Sequence, residues 1–417
     1  MIAASRGFYA LVTTQALSAF NNNLLRSALL TLVAFRPIET AGMSAETIVA
    51  LSTLFVVAPY AVLSIPAGRL ADRWPKTFII RWVKAGEVTI FALAAIALAT
   101  MNIPMLLAAL LLAGVEAAIF GPAKFGILPE ILPEQRLISG NSWVSATGTT
   151  AILAGLVTGN LLVLDSTGFP VIMAGIVVVA VGGWLLTFLI PVTAPQAPEL
   201  SVRPGVFLAD FLTCFRRLAA VPAIILPVVG SSWFWFQGAL STTLMPLYVA
   251  QAGALPESAV SVLLIASSVG VATGAAAARW LAGRRLPAAL PYLVFAITAL
   301  PGLDLWWSGP VASSAGLMRA SLDFFVLAAG CGLYAVPLGT AVQQLTPRMQ
   351  RARFIGINHT MNGIAMICSG FAVLLLNLPM LSVPELFGWS ALISGVVAAL
   401  TLWATLPALA VRSPAAG

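Results

Sequence analysis

Asn21, Asn22, Asn23 and Arg26 stand near the middle of an apolar run from about Phe8 to Phe35. The run is long enough to cross a bilayer with some tilt. A charge at bilayer depth costs about 3 to over 10 kcal/mol, depending on the reference state. Arg26 must therefore face a partner or a watered cavity. Successive helical residues turn by about 100°, so three asparagines in a row cannot share one face, and at least one is expected to contact a neighbouring helix. Two readings stay open. The asparagines are interhelical hydrogen-bond glue, or they form a polar patch that contacts substrate in a central cavity. The full charge on Arg26 favours the second, since glue rarely needs one.

Further polar groups lie in other apolar runs. Glu116 is placed to pair with Arg26 or Lys124, and Lys84 and Glu87 lie three apart on one helix face, where they can satisfy each other. Either glutamate is a candidate proton carrier. Lys124 is a ligand for an anion, or a side chain that snorkels from a span end to the surface. Trp233, Phe234, Trp235 and Phe236 either line an acyl slot or form a packing cluster, with Gln237 beside them as a neutral hydrogen-bonding group. Asn358 and His359 complete the substrate-contacting candidates. His359 is the sole histidine, and beside Asn358 and near Asn362 it reads more readily as a hydrogen-bonded interface residue than as a proton switch.

The elements that must hold these residues follow from composition. Of 417 residues, 60% are hydrophobic and 8% charged, more apolar surface than a soluble core can consume. Apolar runs near 8–35, 47–67, 77–100, 103–121, 140–164, 169–191, 222–250, 257–281, 287–307, 320–343, 354–377 and 385–411 give twelve spans. They are too long for transmembrane β-strands. Residues 1–7 are too short for a signal peptide, so the first span is expected to be retained as an anchor. The net charge of +7 reflects basic residues scattered through loops, and is no sign of nucleic-acid binding. Arg6, Arg69, Arg73, Lys76, Arg136, Arg203, Arg216, Arg217, Arg284, Arg285, Arg348, Arg351, Arg353 and Arg412 fall on one side of the spans, against little beyond Arg36 and Arg319 on the other. Both termini are therefore expected in the cytoplasm. Cys214, Cys331 and Cys368 are far apart and form no CxxC, so no metal site, cofactor or disulfide framework is expected.

The longest polar break, about Pro191 to Val221, is Pro-rich and then basic. It divides the chain into a six-helix bundle at 1–192, a linker at 193–220 that is either a plain connector or a surface-lying helix, and a six-helix bundle at 221–417. An internal repeat supports the division. Phe120-Gly-Pro-Ala-Lys-Phe-Gly126 closes the fourth span and is followed by Ser139-Gly-Asn-Ser142. Tyr334-Ala-Val-Pro-Leu-Gly339 lies in the tenth and is followed by Ile355-Gly-Ile-Asn-His359 at nearly the same distance.

Gly68-Arg-Leu-Ala-Asp-Arg-Trp-Pro-Lys76, between spans two and three, resembles the signature loop of the major facilitator superfamily. Asp72, Arg73 and Lys76 are its gating candidates. Trp74-Pro75 replaces the family's usual glycine and basic residue, and the second-half counterpart Arg279-Trp-Leu-Ala-Gly-Arg-Arg285 has lost its acid. Asn21–Leu29, Phe120–Glu130 and Ser232–Ala239 together resemble bacterial lysophospholipid transporters and the transporter half of bifunctional transporter–acyltransferase proteins. The family commonly has an acid where Asn22 stands. The resemblance implies twelve helices in two pseudo-symmetric bundles, alternating access, and inward movement of lysophosphatidylethanolamine and similar lipids across the bacterial inner membrane for re-acylation, with an acyltransferase as possible partner and a monomer as working unit. In that fold, Gly155-x-x-x-Gly159 in span five and Gly270-x-x-x-Gly274 in span eight would form a seam between the halves. Arg26 would bind the lipid phosphate by a bidentate fork and Lys124 as a point charge. The rival readings are a proton-coupled transporter of soluble drugs or metabolites, and an enzyme. Glycerolipid acyltransferases share a His-x4-Asp motif, whereas His359 is followed at that spacing by Ile364, and no P-loop occurs.

Overall fold

The computed structural model describes residues 2–36, 42–133, 137–195, 198–199, 212, 215–216, 221–282, 290–345, 351–377 and 381–412. Twelve long helices run through them. They are α1 (Ile2–Phe35), α2 (Ala45–Arg73), α3 (Lys76–Ala99), α4 (Ile103–Ile131), α5 (Leu137–Leu162), α6 (Gly168–Leu186), α7 (Pro222–Ala250), α8 (Ser258–Ala282), α9 (Leu290–Ser308), α10 (Ser314–Leu345), α11 (Arg351–Leu374) and α12 (Val383–Arg412). No strand occurs among the described residues. Most of the stretch between Pro191 and Val221 lies outside them, as do Arg136, Arg284, Arg285 and Arg348.

Local sequence sets the helix ends. Ser44 caps α2, its Oγ accepting from the Thr47 amide at 3.2 Å, and Asn102 caps α4, its Oδ1 accepting from the Met105 amide at 2.9 Å. Trp74 closes α2 through its amide to Leu70 O at 3.0 Å, and Pro75 is already the cap residue of α3. Proline suits a helix start because its missing donor would go unused there. Two expected ends move. Helix α2 continues through Pro59 and Pro66 to Arg73, and α4 continues through Pro122 to Ile131. Lys124 therefore sits inside α4, not at its end.

Nine of the helices are long and apolar enough to cross a membrane: α3, α4 and α6 to α12. Helices α2 and α5 contain shorter apolar stretches, Ala45–Tyr60 and Thr147–Leu162, and α1 carries the polar residues described below. The chain is a multi-pass membrane protein.

The chain divides into two compact units, 1–207 and 208–417. In the first, the main packing pairs are α1 with α5, α2 with α4, α3 with α6 and α3 with α4. In the second they are α7 with α11, α8 with α10, α9 with α12 and α9 with α10, the same pairs six helices on. The internal repeat is thus a repeat of packing. The glycine pairs belong to it. A Cβ at Gly155 or Gly159 would strike the backbone carbonyls of Phe20 and Leu24 on α1, and one at Gly270 or Gly274 those of Phe325 and Ala329 on α10. The expected seam between the halves is corrected. These glycines seal α5 to α1 and α8 to α10, each within its own unit, where backbone contact demands the smallest residue.

Candidate functional site

Helix α1 distributes its polar side chains by face. Thr14 Oγ1 donates to Gly183 O on α6 at 3.2 Å, and Asn21 Nδ2 donates to Ile176 O on α6 at 2.7 Å. Ser27 Oγ donates to Leu156 O on α5 at 2.7 Å, and Thr31 Oγ1 to Asn160 Oδ1 on α5 at 2.8 Å. Arg26 points elsewhere, its Nη2 donating to Thr53 Oγ1 on α2 at 2.9 Å. Asn23 bonds back to Ala19 O at 2.8 Å. Asn22 is half-buried, and its Oδ1 has no hydrogen-bond partner among the described residues. Of the three asparagines, Asn21 is interhelical glue and Asn23 is bonded within its own helix. The carbonyl oxygens of Asn21 and Asn22 both lack a hydrogen-bond partner among the described residues.

A charged cluster lies on the face of α1 that carries Gln15 and Ser18. Lys84 Nζ on α3 stands 2.7 Å from Glu116 Oε1 on α4 and 2.9 Å from Glu87 Oε2 on its own helix, all three side chains buried. Lys84 also donates to Ser18 Oγ at 2.6 Å, and the Ser18 hydroxyl donates in turn to Glu87 Oε1. The ammonium sits 3.8 Å from the centroid of the Phe120 ring. The expected Lys84–Glu87 contact is therefore present, but the ion partner of Glu116 is Lys84, where Arg26 or Lys124 was expected. The second carboxylate oxygen, Glu116 Oε2, is buried and has no hydrogen-bond partner among the described residues.

Lys124, on α4 two turns beyond Glu116, is half-buried. Its Nζ donates to Gln15 Oε1 at 3.3 Å, and Gln15 is itself anchored on α5 through Val144 O at 2.7 Å. The ammonium lies 5.6 Å and 4.7 Å from the centroids of Phe120 and Phe125. No carboxylate lies within ion-pair distance of it among the described residues. This is a cation held in place by a neutral amide and two aromatic rings.

In the second unit the four consecutive aromatics fan out around α7. Trp233 stacks on Phe236 at 4.5 Å and donates from Nε1 to Ser394 Oγ on α12 at 2.7 Å. Phe234 packs into the core with Tyr334 and Leu338. Trp235 is 45% exposed, and its Nε1 donates at 3.1 Å to Asn362, taking the amide orientation that satisfies both ends of that side chain. A single acyl slot lined by all four is excluded. Gln237 is buried, accepting from Ser394 Oγ at 2.9 Å and donating to Ser241 Oγ at 3.3 Å. Asn358 accepts from Ser231 Oγ at 2.9 Å, joining α11 to α7. His359 lies on α11, with its side chain outside the described residues.

The gating candidates divide. Asp72 and Arg73 are exposed at the end of α2. Lys76 is buried and pairs with Glu130 on α4 at 2.6 Å, which makes it a clamp between the start of α3 and the end of α4, with no exposed charge to offer a gate.

The Major Facilitator Superfamily model matches residues 11–370. The chain belongs to that superfamily. Among its relatives, the lysophospholipid transporter LplT of Cronobacter sakazakii (strain ATCC BAA-894) is 29% identical over 345 residues, 82% of this chain and 81% of the relative. LplT of Yersinia pestis (strain Pestoides F) is 28% identical over 346 residues, 82% and 79% of the two chains. Solved superfamily structures share the fold. A POT family transporter in complex with a thioalcohol-conjugated peptide superposes with a TM-score of 0.70 at 14% identity, covering 95% of each chain. A bacterial homolog of the human lysosomal transporter Spinster gives 0.62 at 15% identity, covering 99% of each. The xylose transporter XylE of E. coli gives 0.64 at 11% identity, covering 94% of each.

Within this major facilitator fold, sequence reasoning missed Gln15, Ser18, Thr53 and Glu130. The first two had a signal. Gln15, Ser18 and Asn22 follow the i, i+3, i+7 spacing of one helix face. Thr53 and Glu130 look ordinary until α2 and α4 are placed beside their partners.

Proposed function

We propose that this superfamily member moves lysophospholipids such as lysophosphatidylethanolamine across the bacterial inner membrane by alternating access, for re-acylation inside. The observation that carries this is Lys124, a half-buried cation with a neutral amide and two rings as partners and no carboxylate within ion-pair distance among the described residues. Because Lys84 meets both buried acids directly, the charge of Lys124 remains available for a lipid phosphate. Arg26 and the Asn22 carbonyl offer further polar contacts along α1, and Phe125, exposed beside Lys124, offers apolar surface to the acyl chain. The similarity to proteins named lysophospholipid transporters over 82% of this chain supports the same substrate class. Asp72 and Arg73 are the gating charges, an acyltransferase is the partner, the working unit is a monomer, and both termini face the cytoplasm. Reporter fusions at the two ends test the orientation.

Proteoliposomes holding the full chain, offered labelled lysophosphatidylethanolamine beside a panel of soluble solutes, test the substrate. Selective lysolipid uptake is expected. Lys124→Gln should weaken its binding about tenfold to a hundredfold, the scale of one charge-assisted hydrogen bond, at an unchanged unfolding temperature. Uptake of a soluble solute without lysolipid transfer would overturn the reading. A specific observation favours the second reading, a proton-coupled transporter of soluble drugs or metabolites. Glu116 Oε2 has no hydrogen-bond partner among the described residues and could carry a proton. That reading requires uptake to fail when the proton gradient is collapsed.

A further inference from the structure

Apart from the α1 cluster, the first unit carries a groove of about 480 Å³ between the start of α3 and the end of α6. Its walls include Phe78, Trp82, Trp184, Phe188 and Val192, and one charged side chain, Arg81, reaches into it. The aromatic walls are open to the surroundings: Trp82 is 66% exposed and Phe188 53%. They are also ordered against one another. Phe78 stacks on Trp74 at 5.5 Å and meets Trp82 edge-on at 6.1 Å, while Trp184 meets Phe188 edge-on at 5.7 Å. We propose that this groove is a binding site for an anionic diacyl glycerophospholipid of the surrounding membrane, held by its phosphate at Arg81 and by an acyl chain along the aromatic walls.

Two features separate this groove from an ordinary aromatic belt. An arginine near a membrane surface normally extends its head toward the lipid headgroups. Arg81 instead folds against the protein, its guanidinium carbon 5.3 Å from the Phe188 ring centroid. Its single protein hydrogen bond among the described residues is a long one, from Nη2 to Ile190 O at 3.3 Å. A guanidinium has five donors, so most of its capacity faces no protein acceptor, and a phosphate is the acceptor that fits its fork. The second feature is charge. Arg73 is exposed beside Trp74, at the groove's edge. Lys76 is paired with Glu130. Asp72 is the one acid of the Gly68–Lys76 loop. The excess of positive charge around the groove favours a lipid with net negative charge over a zwitterionic one. Trp82 and Trp184 are of the residue type enriched at the level of lipid headgroups. The site is independent of the transported substrate, because its residues lie outside the Lys84–Lys124 cluster.

Native mass spectrometry of the detergent-purified full chain, titrated with dioleoylphosphatidylglycerol, dioleoylphosphatidylethanolamine or dioleoylglycerol, tests the assignment. Two variants remove different halves of the site. Arg81→Gln deletes the charge, and Ala85→Phe fills the groove, which Ala85 lines, while leaving Arg81 in place. Phosphatidylglycerol should be retained best by the wild type, and each variant should lower that retention about tenfold or more at a matched unfolding temperature. Equal retention of phosphatidylglycerol by the wild type and both variants would overturn the site. Equal retention of dioleoylglycerol, which has no phosphate, would reduce the groove to unspecific apolar surface. A preference for phosphatidylethanolamine would overturn the charge argument.

Discussion

Lys84 Nζ lies 2.7 Å from Glu116 Oε1, joining α3 to α4 through a buried ion pair, and the same ammonium holds Glu87 at 2.9 Å. Removing one partner of a buried pair leaves an uncompensated charge, at about 3–5 kcal/mol. Lys84→Met should therefore lower the unfolding temperature in detergent more than Glu116→Gln does. The triple variant Lys84→Met, Glu87→Gln, Glu116→Gln should recover most of the loss, and failure to recover would mean that Lys84 acts mainly by packing on Phe120.

Arg26 donates to Thr53 at 2.9 Å, and the ion partner of Glu116 is Lys84. Arg26→Ala is accordingly expected to leave Glu116 paired. If the guanidinium holds lipid phosphate, Arg26→Ala should weaken lysolipid binding about tenfold to a hundredfold. Arg26→Lys should fall between, keeping charge but losing the fork. Binding at the wild-type level in both variants would assign Arg26 to the α1–α2 contact alone.

Asp72 is exposed and Lys76 is buried on Glu130, so neighbouring charges of one loop should respond differently. Asp72→Asn is expected to slow transport with the unfolding temperature unchanged. Lys76→Met should lower that temperature, because the buried ion pair that ties the start of α3 to the end of α4 is lost. A wild-type transport rate for Asp72→Asn at matched expression would make that charge a topology signal only.

Uptake of lysolipid should survive collapse of the proton gradient. Asn22 stands where lysophospholipid transporters commonly have an acid, and Glu87 and Glu116 are both engaged by Lys84. A protonophore that abolishes uptake in energised vesicles would instead favour proton coupling, with Glu116→Gln the first variant to measure.

Gly155→Leu should abolish accumulation of folded protein, since its side chain would meet the Phe20 carbonyl and overpacking costs about 1–3 kcal/mol even where neighbours can shift. Gly175, with open space at its Cβ, is the control, and Gly175→Leu should accumulate normally.

The twelve helices were legible because span length and hydropathy are local properties of a sequence. Part of the charged site was legible too, since Lys84 and Glu87 sit three apart on one helix. What escaped was pairing across helices. Lys84 and Glu116 are separated by 32 residues and Lys76 and Glu130 by 54, and nothing local tells which span stands beside which. The aromatic run Trp233–Phe236 misled for the opposite reason. Adjacency in sequence suggested one slot, but a helix sends four consecutive side chains to different faces.

The polar stitching of α1 bears on how the chain is made. The partners of Ser27 and Thr31 lie 129 residues further on, that of Asn21 155, and that of Thr14 169. At ~5–20 residues per second, a ribosome needs about ten to thirty seconds to deliver them. Until then the nascent α1 carries Thr14, Asn21, Ser27 and Thr31 into the bilayer with no α5 or α6 to receive them. It is expected to wait at the insertion machinery, held there until the later helices arrive. Ribosome-stalled chains that end before α5 should crosslink to that machinery through α1, and chains that extend past α6 should have released it.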